Sequence, residues 1–314
     1  MSVQASAVRA VTVGVDDLER AGAFYREVFD YVELASGVYD SAAWGTDGCP
    51  GHDGRYVAVG PPGTTTGALF LVDWEGPRTQ IWPEGERQHL GHYALNFRVR
   101  SIDVVRDRLQ SDAGRVVSEP RHWSIAPEIS VWDSLSTDPD GTVLDVFEVT
   151  RDDTGATPPW TGAQPVQTLA VHVPDADAGR DLYTALGFEV WFDRTVEQMS
   201  DFFHLPEGGV LRDVNLYAPG SVDSGRIEIV EYVGIPGERQ DERARPGGIG
   251  IVSALLEVPD LEAAAGVVLA QGGSVAGPAV EVEVPLLGRR RVQVVRGTGG
   301  EALELVETPG SAAG

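Results

Sequence analysis

The pattern of apolar and polar positions repeats along this chain. Residues 13–25 have the apolar spacing of a strand that leads into a helix, and the pattern returns at 171–183, an offset of 158 residues. A shorter offset of 84 residues relates 15–18 to 99–102. Matches at constant offsets indicate internal duplication, so the chain is predicted to contain four copies of one small unit.

The pattern of apolar and polar positions in each copy predicts a strand, a helix and then about three further strands. Residues 8–15 alternate and are rich in β-branched side chains, which is typical of a strand. Asp16 and Asp17 follow as helix caps, and the apolar spacing continues as a helix near residues 18–28. The sequence therefore predicts an α+β fold. Its four βαβββ units occupy residues 8–75, 91–150, 166–235 and 249–308.

A linker separates the two halves of the repeat. Residues 151–165 are polar, rich in Pro and Gly, and lack periodicity. We therefore expect two tandem domains at 1–150 and 166–308, followed by a tail at 309–314. Within each domain, two units would place their strands in one curved mixed sheet. Such a sheet forms a cup, and concavities of this kind commonly bind small ligands.

Composition narrows the possible partners. The net charge of −24 excludes sequence-independent binding to nucleic acid and disfavours binding to an anionic membrane surface. No apolar window is long enough to cross a membrane. The chain has no lysine, so Schiff-base chemistry is not possible. One cysteine among 314 residues agrees with a reducing compartment. We expect a cytoplasmic protein, either a monomer or a homodimer, whose partner is a small molecule.

Several motifs together resemble a known superfamily. They are the opening Val-x-Val-x-Asp-Leu-x-x-x-x-x-Phe-Tyr at 13–25, its copy at 171–183, strand–helix junctions at 99–102 and 258–261, and Asp-Pro-Asp-Gly-x-x-Leu-Asp at 138–145. In this order they resemble the vicinal oxygen chelate superfamily, also called the glyoxalase/bleomycin-resistance/extradiol-dioxygenase family. The resemblance covers nearly the whole chain, and its layout is similar to that of the two-domain dioxygenases.

The resemblance also implies where a metal would bind. Family members that use a metal place ligands on the first strands of two units and a carboxylate on a last strand. One carboxylate beside two methyl groups or two hydroxyls does not make a site for such metals, so we predict neither a metal nor another cofactor. Cys49 and His52 form a single Cys-x-x-His pair, which is half of a zinc site. The implied ligand positions hold Ala10, Ala94 and Asp145 in the first half, and Thr168, Ser253 and Glu304 in the second.

Strand alternation selects the candidate site residues. His92 and Asp145 are predicted to form a general acid/base pair, because a carboxylate can orient an imidazole. Asn96 is the candidate for binding a carbonyl or an oxyanion. Thr168, Ser253 and Glu304 would either form a polar floor for the ligand or satisfy one another. The candidate substrate-binding residues are Thr12, Arg98, Thr168, His172, Ser253 and Glu304.

These candidates lead to three hypotheses. The first is a metal-independent enzyme, an isomerase, cyclase or lyase that acts on a small aromatic or polyketide-like molecule of natural product metabolism. The second is a protein that binds and sequesters such a molecule without changing it, as resistance proteins of the family do. The third is a dioxygenase or glyoxalase-type enzyme whose divalent metal is held by displaced ligands.

Overall fold

A computed structural model describes residues 3–45, 53–83, 89–155, 157–197 and 199–310. Cys49, His52 and the end of the predicted tail lie outside these ranges. Within them, the predicted α+β fold of four βαβββ units is confirmed.

The four units follow one another in the order that the repeat predicts. The first contains β1 (Ala10–Gly14), α1 (Leu18–Phe29), β2 (Val32–Tyr39), β3 (Gly54–Gly60) and β4 (Ala68–Trp74), and β5 (Thr79–Gln80) follows it. The second contains β6 (Gly91–Arg98), α2 (Ile102–Ser111), β7 (Arg115–Ala126), β8 (Ile129–Thr137) and β9 (Val143–Asp152). The third contains β10 (Thr168–His172), α3 (Ala176–Ala185), β11 (Glu189–Val196), β12 (Leu211–Tyr217) and β13 (Arg226–Tyr232). The fourth contains β14 (Gly248–Val258), α4 (Leu261–Ala270), β15 (Ser274–Val275), β16 (Val280–Val284), β17 (Gly288–Arg296) and β18 (Ala302–Glu307).

The helices begin where the sequence provides caps. The side chains of Asp17, Asp175 and Asp260 each accept backbone N–H bonds at the start of α1, α3 and α4. Ser101 makes no such bond at α2, where Glu148 from β9 accepts the first N–H instead. The repeat of the sequence is therefore also a repeat of helix starts.

The units combine into cups differently from the prediction. We expected the two units of one sequence half to share a sheet. Instead, one sheet joins units one and four through antiparallel β1 and β14, and the other joins units two and three through β6 and β10. The sequence offset identifies the copies of the unit, but it does not show which strand edges pair. The first strands of all four units have the same alternation, so each of them can pair with any other.

Each sheet has one face toward the helices and one toward its cup. On β1, Val11 and Val13 pack in the core shared with the helices, whereas Ala10 belongs to the cluster inside the cup. The helix-side core extends across all four units and holds both sheets in one body. No helix in the described part of the chain is long and apolar enough to cross a membrane.

Candidate functional site

The cup of units two and three contains a cavity, and we call it the open cup. Its volume is about 1090 Å³, including the part that opens to solvent. Most of its wall is apolar or aromatic, which is usual for a small-molecule site, but charged side chains also face inward. The charged residues of the lining are Arg98, Asp133, Asp145, Arg194, Asp213, Arg226 and Glu228.

The four carboxyl groups form two pairs. Asp133 on β8 lies within hydrogen-bonding reach of Asp145 on β9, and Asp213 on β12 bears the same relation to Glu228 on β13. The pairs occupy equivalent register positions in their units, because Leu135 is opposite Asp145 just as Asn215 is opposite Glu228. The duplicated unit has therefore placed two carboxyl pairs in one cavity.

Burial raises the pKa of one carboxyl group in each pair. It raises the pKa of Asp145 well above its usual value, and the nearby charge and hydrogen bond of Asp133 raise it further. Burial, followed by the charge of Asp213, likewise raises the pKa of Glu228. A shared proton also supplies a donor for the Oδ1 atoms of Asp133 and Asp145, which are buried and otherwise have no partner. Each pair can therefore donate and accept a proton at one place.

Neighbouring donors fix the orientation of these carboxyl groups. Trp123 Nε1 donates to Asp133 Oδ2 at 3.0 Å. Asn96 Nδ2 donates to Glu228 Oε2 at 2.8 Å. Arg194 donates to Asp213 Oδ2 from Nε at 3.0 Å and from Nη2 at 2.6 Å. Asn96 thus acts on a carboxylate of the other unit, and its Oδ1 atom stays buried without a partner.

The opposite end of the cavity is aromatic. The His172 ring stacks on Tyr93 with centroids 4.0 Å apart and meets Tyr232 edge-on at 4.5 Å. Burial lowers the pKa of His172 to about 3, so the imidazole is neutral near pH 7. Its Nδ1 donates to the His89 carbonyl at 3.2 Å, which leaves Nε2 as a buried acceptor without a partner. His172 can therefore accept a hydrogen bond from a ligand.

The predicted pairing of His92 with Asp145 is wrong. His92 is not among the residues that line the cavity, and its Nε2 donates to the Ala302 carbonyl at 2.8 Å. The reason is a bulge: opposite β10, the register passes from Ala94 directly to His92, so Tyr93 is an extra residue. The bulge directs both Tyr93 and Ala94 into the cavity and turns His92 away from it.

The cup of units one and four is filled, and we call it the filled cup. Four large aromatic side chains occupy its interior: Tyr39, Trp44, Phe70 and Trp74. The Tyr39 hydroxyl donates to the Glu304 carboxylate at 2.6 Å, and Ser253 Oγ donates to the same group. Thr12 Oγ1 lies 3.4 Å from Glu304 Oε1.

The candidate residues from the sequence are thus divided between the cups. Thr12, Ser253 and Glu304 satisfy one another in the filled cup, so they do not form the expected floor for a ligand together with Thr168. The open cup gathers the other candidates that line its cavity. They are Asn96, Arg98, Asp145, Thr168 and His172.

Sequence reasoning missed Asp133, Asp213, Glu228, Arg194 and Arg226. One signal was available: the offset of 158 residues that relates 71–74 to 229–232 also places Glu228 at the position of Phe70. Because Glu228 is opposite Ala170 on a first strand, it shares the cavity face that alternation assigns. The other missed residues could not be assigned to a site, because the sequence does not show which two units share a cavity.

The residues present do not fit the metal that the fold family implies. In the open cup, the implied positions hold Ala94 and Thr168 beside Asp145, and the oxygens of Asp145 face Asp133. Among the described residues, no group of three His, Cys, Asp or Glu side chains is placed to hold a metal ion. We therefore assign no step of a reaction to a metal.

A loop of unit three closes part of the open cup. Arg121 on β7 pairs with Asp201, and Ser118 Oγ donates to the Phe202 carbonyl at 2.7 Å. Phe203, in the same loop, lines the cavity. At the rim, Arg194 on β11 donates to the Ile125 carbonyl on β7. The outer strands of the two units therefore contact each other above the ligand space.

Comparison with known proteins agrees with this architecture. Residues 7–146 match the family described as Glyoxalase/Bleomycin resistance protein/Dioxygenase superfamily. Glyoxalase I from Zea mays is 17% identical with a TM-score of 0.65, covering 97% of this chain and 93% of its own. A putative dioxygenase from Bacillus subtilis subsp. subtilis str. 168 is 16% identical with a TM-score of 0.59, covering 99% of this chain and 88% of its own.

No curated protein sequence is significantly similar to this chain. The solved structures share its fold, and at their level of identity they do not determine its chemistry. The family match covers the first two units, and the last two repeat their architecture. Residues 7–146 are therefore similar to the glyoxalase/bleomycin resistance protein/dioxygenase superfamily, and the chain as a whole shares the fold of the two solved structures.

Proposed function

We propose that the open cup binds a small aromatic or polyketide-like molecule and catalyses a proton transfer on it without a metal, as an isomerase, cyclase or lyase. The observation that carries the proposal is the carboxyl pair Asp133–Asp145, which lies in a largely apolar cavity where burial raises the pKa of both groups. The reducing, cytoplasmic setting expected from the sequence agrees with such a role.

The pair supplies both halves of the reaction. The ionised carboxylate removes a proton from an acidic C–H or O–H bond of the substrate, while the protonated partner returns one at another atom. Charge and protons therefore balance within the cavity. General acid/base catalysis of this kind contributes about 10²–10⁴-fold in rate. Asn96 contributes an amide beside the reacting atoms.

The second carboxyl pair is the less suitable catalyst. Arg194 binds Asp213 with two hydrogen bonds, and Asn96 donates to Glu228. These contacts hold both carboxyl groups in place on the wall. We assign them to positioning the ligand and the Asn96 side chain.

The test begins with a panel of phenols, hydroxybenzoic acids and polycyclic quinones, screened by native mass spectrometry. Each bound compound is then incubated in D₂O and recovered for mass analysis. The wild type should incorporate deuterium or release a product. The double variant Asp133→Asn/Asp145→Asn should bind but react at least about 100-fold more slowly. Glu27→Gln, an exposed change on α1, serves as the matched control. Turnover that persists in the double variant would overturn the proposal.

The aromatic wall favours one alternative function. His172, Tyr93 and Tyr232 form a rigid stacked surface that can bind a planar ring without any chemistry. A sequestration protein would bind the compound stoichiometrically and return it unchanged and without deuterium. In that case the Asp133→Asn/Asp145→Asn variant would differ from the wild type in its affinity for the compound, and neither protein would show turnover.

A further inference from the structure

Two arginines lie at the end of the open cup that is opposite His172. Arg98 on β6 and Arg226 on β13 both line the cavity, and their exposed fractions are only 5% and 7%. Burying a guanidinium is costly unless charged partners compensate it. The groups around the two arginines therefore indicate what kind of ligand would compensate their charge.

Neither arginine has an acidic partner in the described part of the chain. Arg98 donates to the Pro158 carbonyl at 2.9 Å and to Gln164 Oε1 at 3.3 Å. Arg226 Nε donates to the Val222 carbonyl at 2.6 Å, and no described group accepts from its two Nη atoms. Arginine ion pairs are common elsewhere in this acidic chain, so the lack of one here is local.

The electrostatic surroundings agree with the contacts. Burial lowers the pKa of Arg226 to about 10, the charge of Asp223 opposes this change, and the charge of Arg98 adds to it. The two guanidinium groups are therefore close enough to repel each other. Asp223 is exposed to solvent and forms no ion pair with either of them.

Each guanidinium also lies over a tryptophan. The Arg226 Cζ atom is 4.2 Å from the ring centroid of Trp191, and the Arg98 Cζ atom is 5.7 Å from that of Trp160. Stacking fixes the plane of a guanidinium and leaves its N–H edge free to bind an anion. Trp160 belongs to the predicted linker, so this segment also helps to build the cavity.

We infer that Arg98 and Arg226 form a subsite for the anionic group, a carboxylate or an ionised phenol, of a small aromatic ligand. The inference rests on the proposed function only in assuming that the open cup binds a ligand. It adds the class of that ligand: an aromatic anion whose ring extends from the arginine end toward His172, past the carboxyl pairs.

The experiment uses two probes with the same ring system, 2-naphthoate and 2-naphthamide, and measures their binding to the full chain by titration calorimetry. Hydrogen bonds to a charged group contribute about 1.5–3 kcal/mol, so naphthoate should bind roughly tenfold or more tightly than the amide. Arg226→Gln should abolish this preference, and Arg226→Lys should keep part of it. Arg289→Gln, an exposed change on β17, should leave it unchanged.

Thermal unfolding provides an independent readout. Benzoate should raise the melting temperature of the wild type more than that of Arg226→Gln, because only the wild type has the complete subsite. Equal binding of the two probes, no binding of either, or a preference that survives in Arg98→Gln and Arg226→Gln would overturn the inference.

The two proposals fail in different ways. If the anion subsite is correct and the acid/base proposal is wrong, the Asp133→Asn/Asp145→Asn variant and the wild type both prefer naphthoate, and neither changes its ligand. If only the subsite is wrong, turnover depends on Asp145, and the charge of the ligand has no effect on affinity.

Discussion

The two cups have the same strands but different interiors. At the equivalent inward position of the strand that pairs in parallel with the first strand of each unit, the open cup has Asp145 and Glu228, whereas the filled cup has Phe70 and Glu304. On the neighbouring strand, Asp133 and Asp213 correspond to Tyr56 and Val292 in the filled cup. The four residues are equivalent because their strand partners, Phe147, Val230, Val72 and Val306 in the same order, each lie two residues after the inward position named above.

The difference shows how one scaffold accommodates two different interiors. In the filled cup, aromatic side chains occupy the space, and the buried carboxylate of Glu304 accepts hydrogen bonds from the hydroxyls of Tyr39 and Ser253. The open cup keeps four carboxyl groups in two pairs beside empty volume. An interior packed with apolar groups favours stability, whereas buried paired carboxyls reduce stability and favour chemistry.

The largest expected effect comes from removing a side chain that fills a cup. Trp74 is 1% exposed and packs against Tyr39 with centroids 5.3 Å apart. Trp74→Ala should lower the free energy of unfolding by about 3–5 kcal/mol, because it leaves a large void. Phe203→Ala, at the wall of an existing cavity, should cost roughly 1 kcal/mol. Urea unfolding of both variants tests the contrast, and equal losses would contradict it.

The second prediction concerns the contacts that join the two cups. Tyr183 from α3 donates to buried Glu301, just before β18, at 3.2 Å, and Tyr25 from α1 donates to buried Asp138 at 3.1 Å. Burial raises the pKa of Glu301 to about 7 and that of Asp138 to about 6. The two tyrosines are equivalent in the repeat, whereas the two acids are not, because Asp138 corresponds to Gly297 and Glu301 to Thr142.

The sign of the pH dependence follows from these raised pKa values. Between about pH 4.5 and about pH 7, the unfolded chain ionises Glu301 while the folded chain keeps it protonated. The stabilising contribution of protonated Glu301 is therefore complete below this range. As the pH rises through the range, the free energy of unfolding should fall by roughly 3 kcal/mol. Urea unfolding across the range should show a smaller decline in Glu301→Gln. The remaining decline comes from the other carboxyl groups whose pKa values burial raises, among them Asp138 and Asp145. An unchanged slope in the variant would refute the assignment.

The smallest predicted effect compares two hydroxyls at equivalent positions. Ser253 is opposite Thr12 in the filled cup, and Thr168 is opposite Asn96 in the open cup. Ser253→Ala removes a donor to buried Glu304 and should cost about 1–2 kcal/mol of unfolding free energy, with ligand binding unchanged. Thr168→Ala should change ligand affinity and leave stability nearly unchanged. Thermal unfolding measures the stability of the two variants, and calorimetry measures their ligand affinity. The prediction is contradicted if Ser253→Ala changes affinity or if Thr168→Ala lowers stability.

Some of the site could be predicted from alternation alone. Asn96, Arg98, Asp145, Thr168 and His172 line the cavity because each has the strand parity that the repeat assigns. His92 failed because the bulge at Tyr93 reverses that parity, and nothing in the local sequence marks the bulge. The prediction missed Arg226 and the two carboxyl pairs for a different reason. These groups come together only because units two and three share a sheet.

The sequence by itself determined the four copies, the helix caps at Asp17, Asp175 and Asp260, and the alternation of each strand, because these depend on neighbours within a few residues. Only the tertiary structure decided which copies pair, which cup is filled, and which carboxyl groups face each other. Those outcomes depend on strand edges and side-chain volumes that meet across hundreds of residues. No local pattern encodes them, and the chemistry that we propose for this chain depends on them.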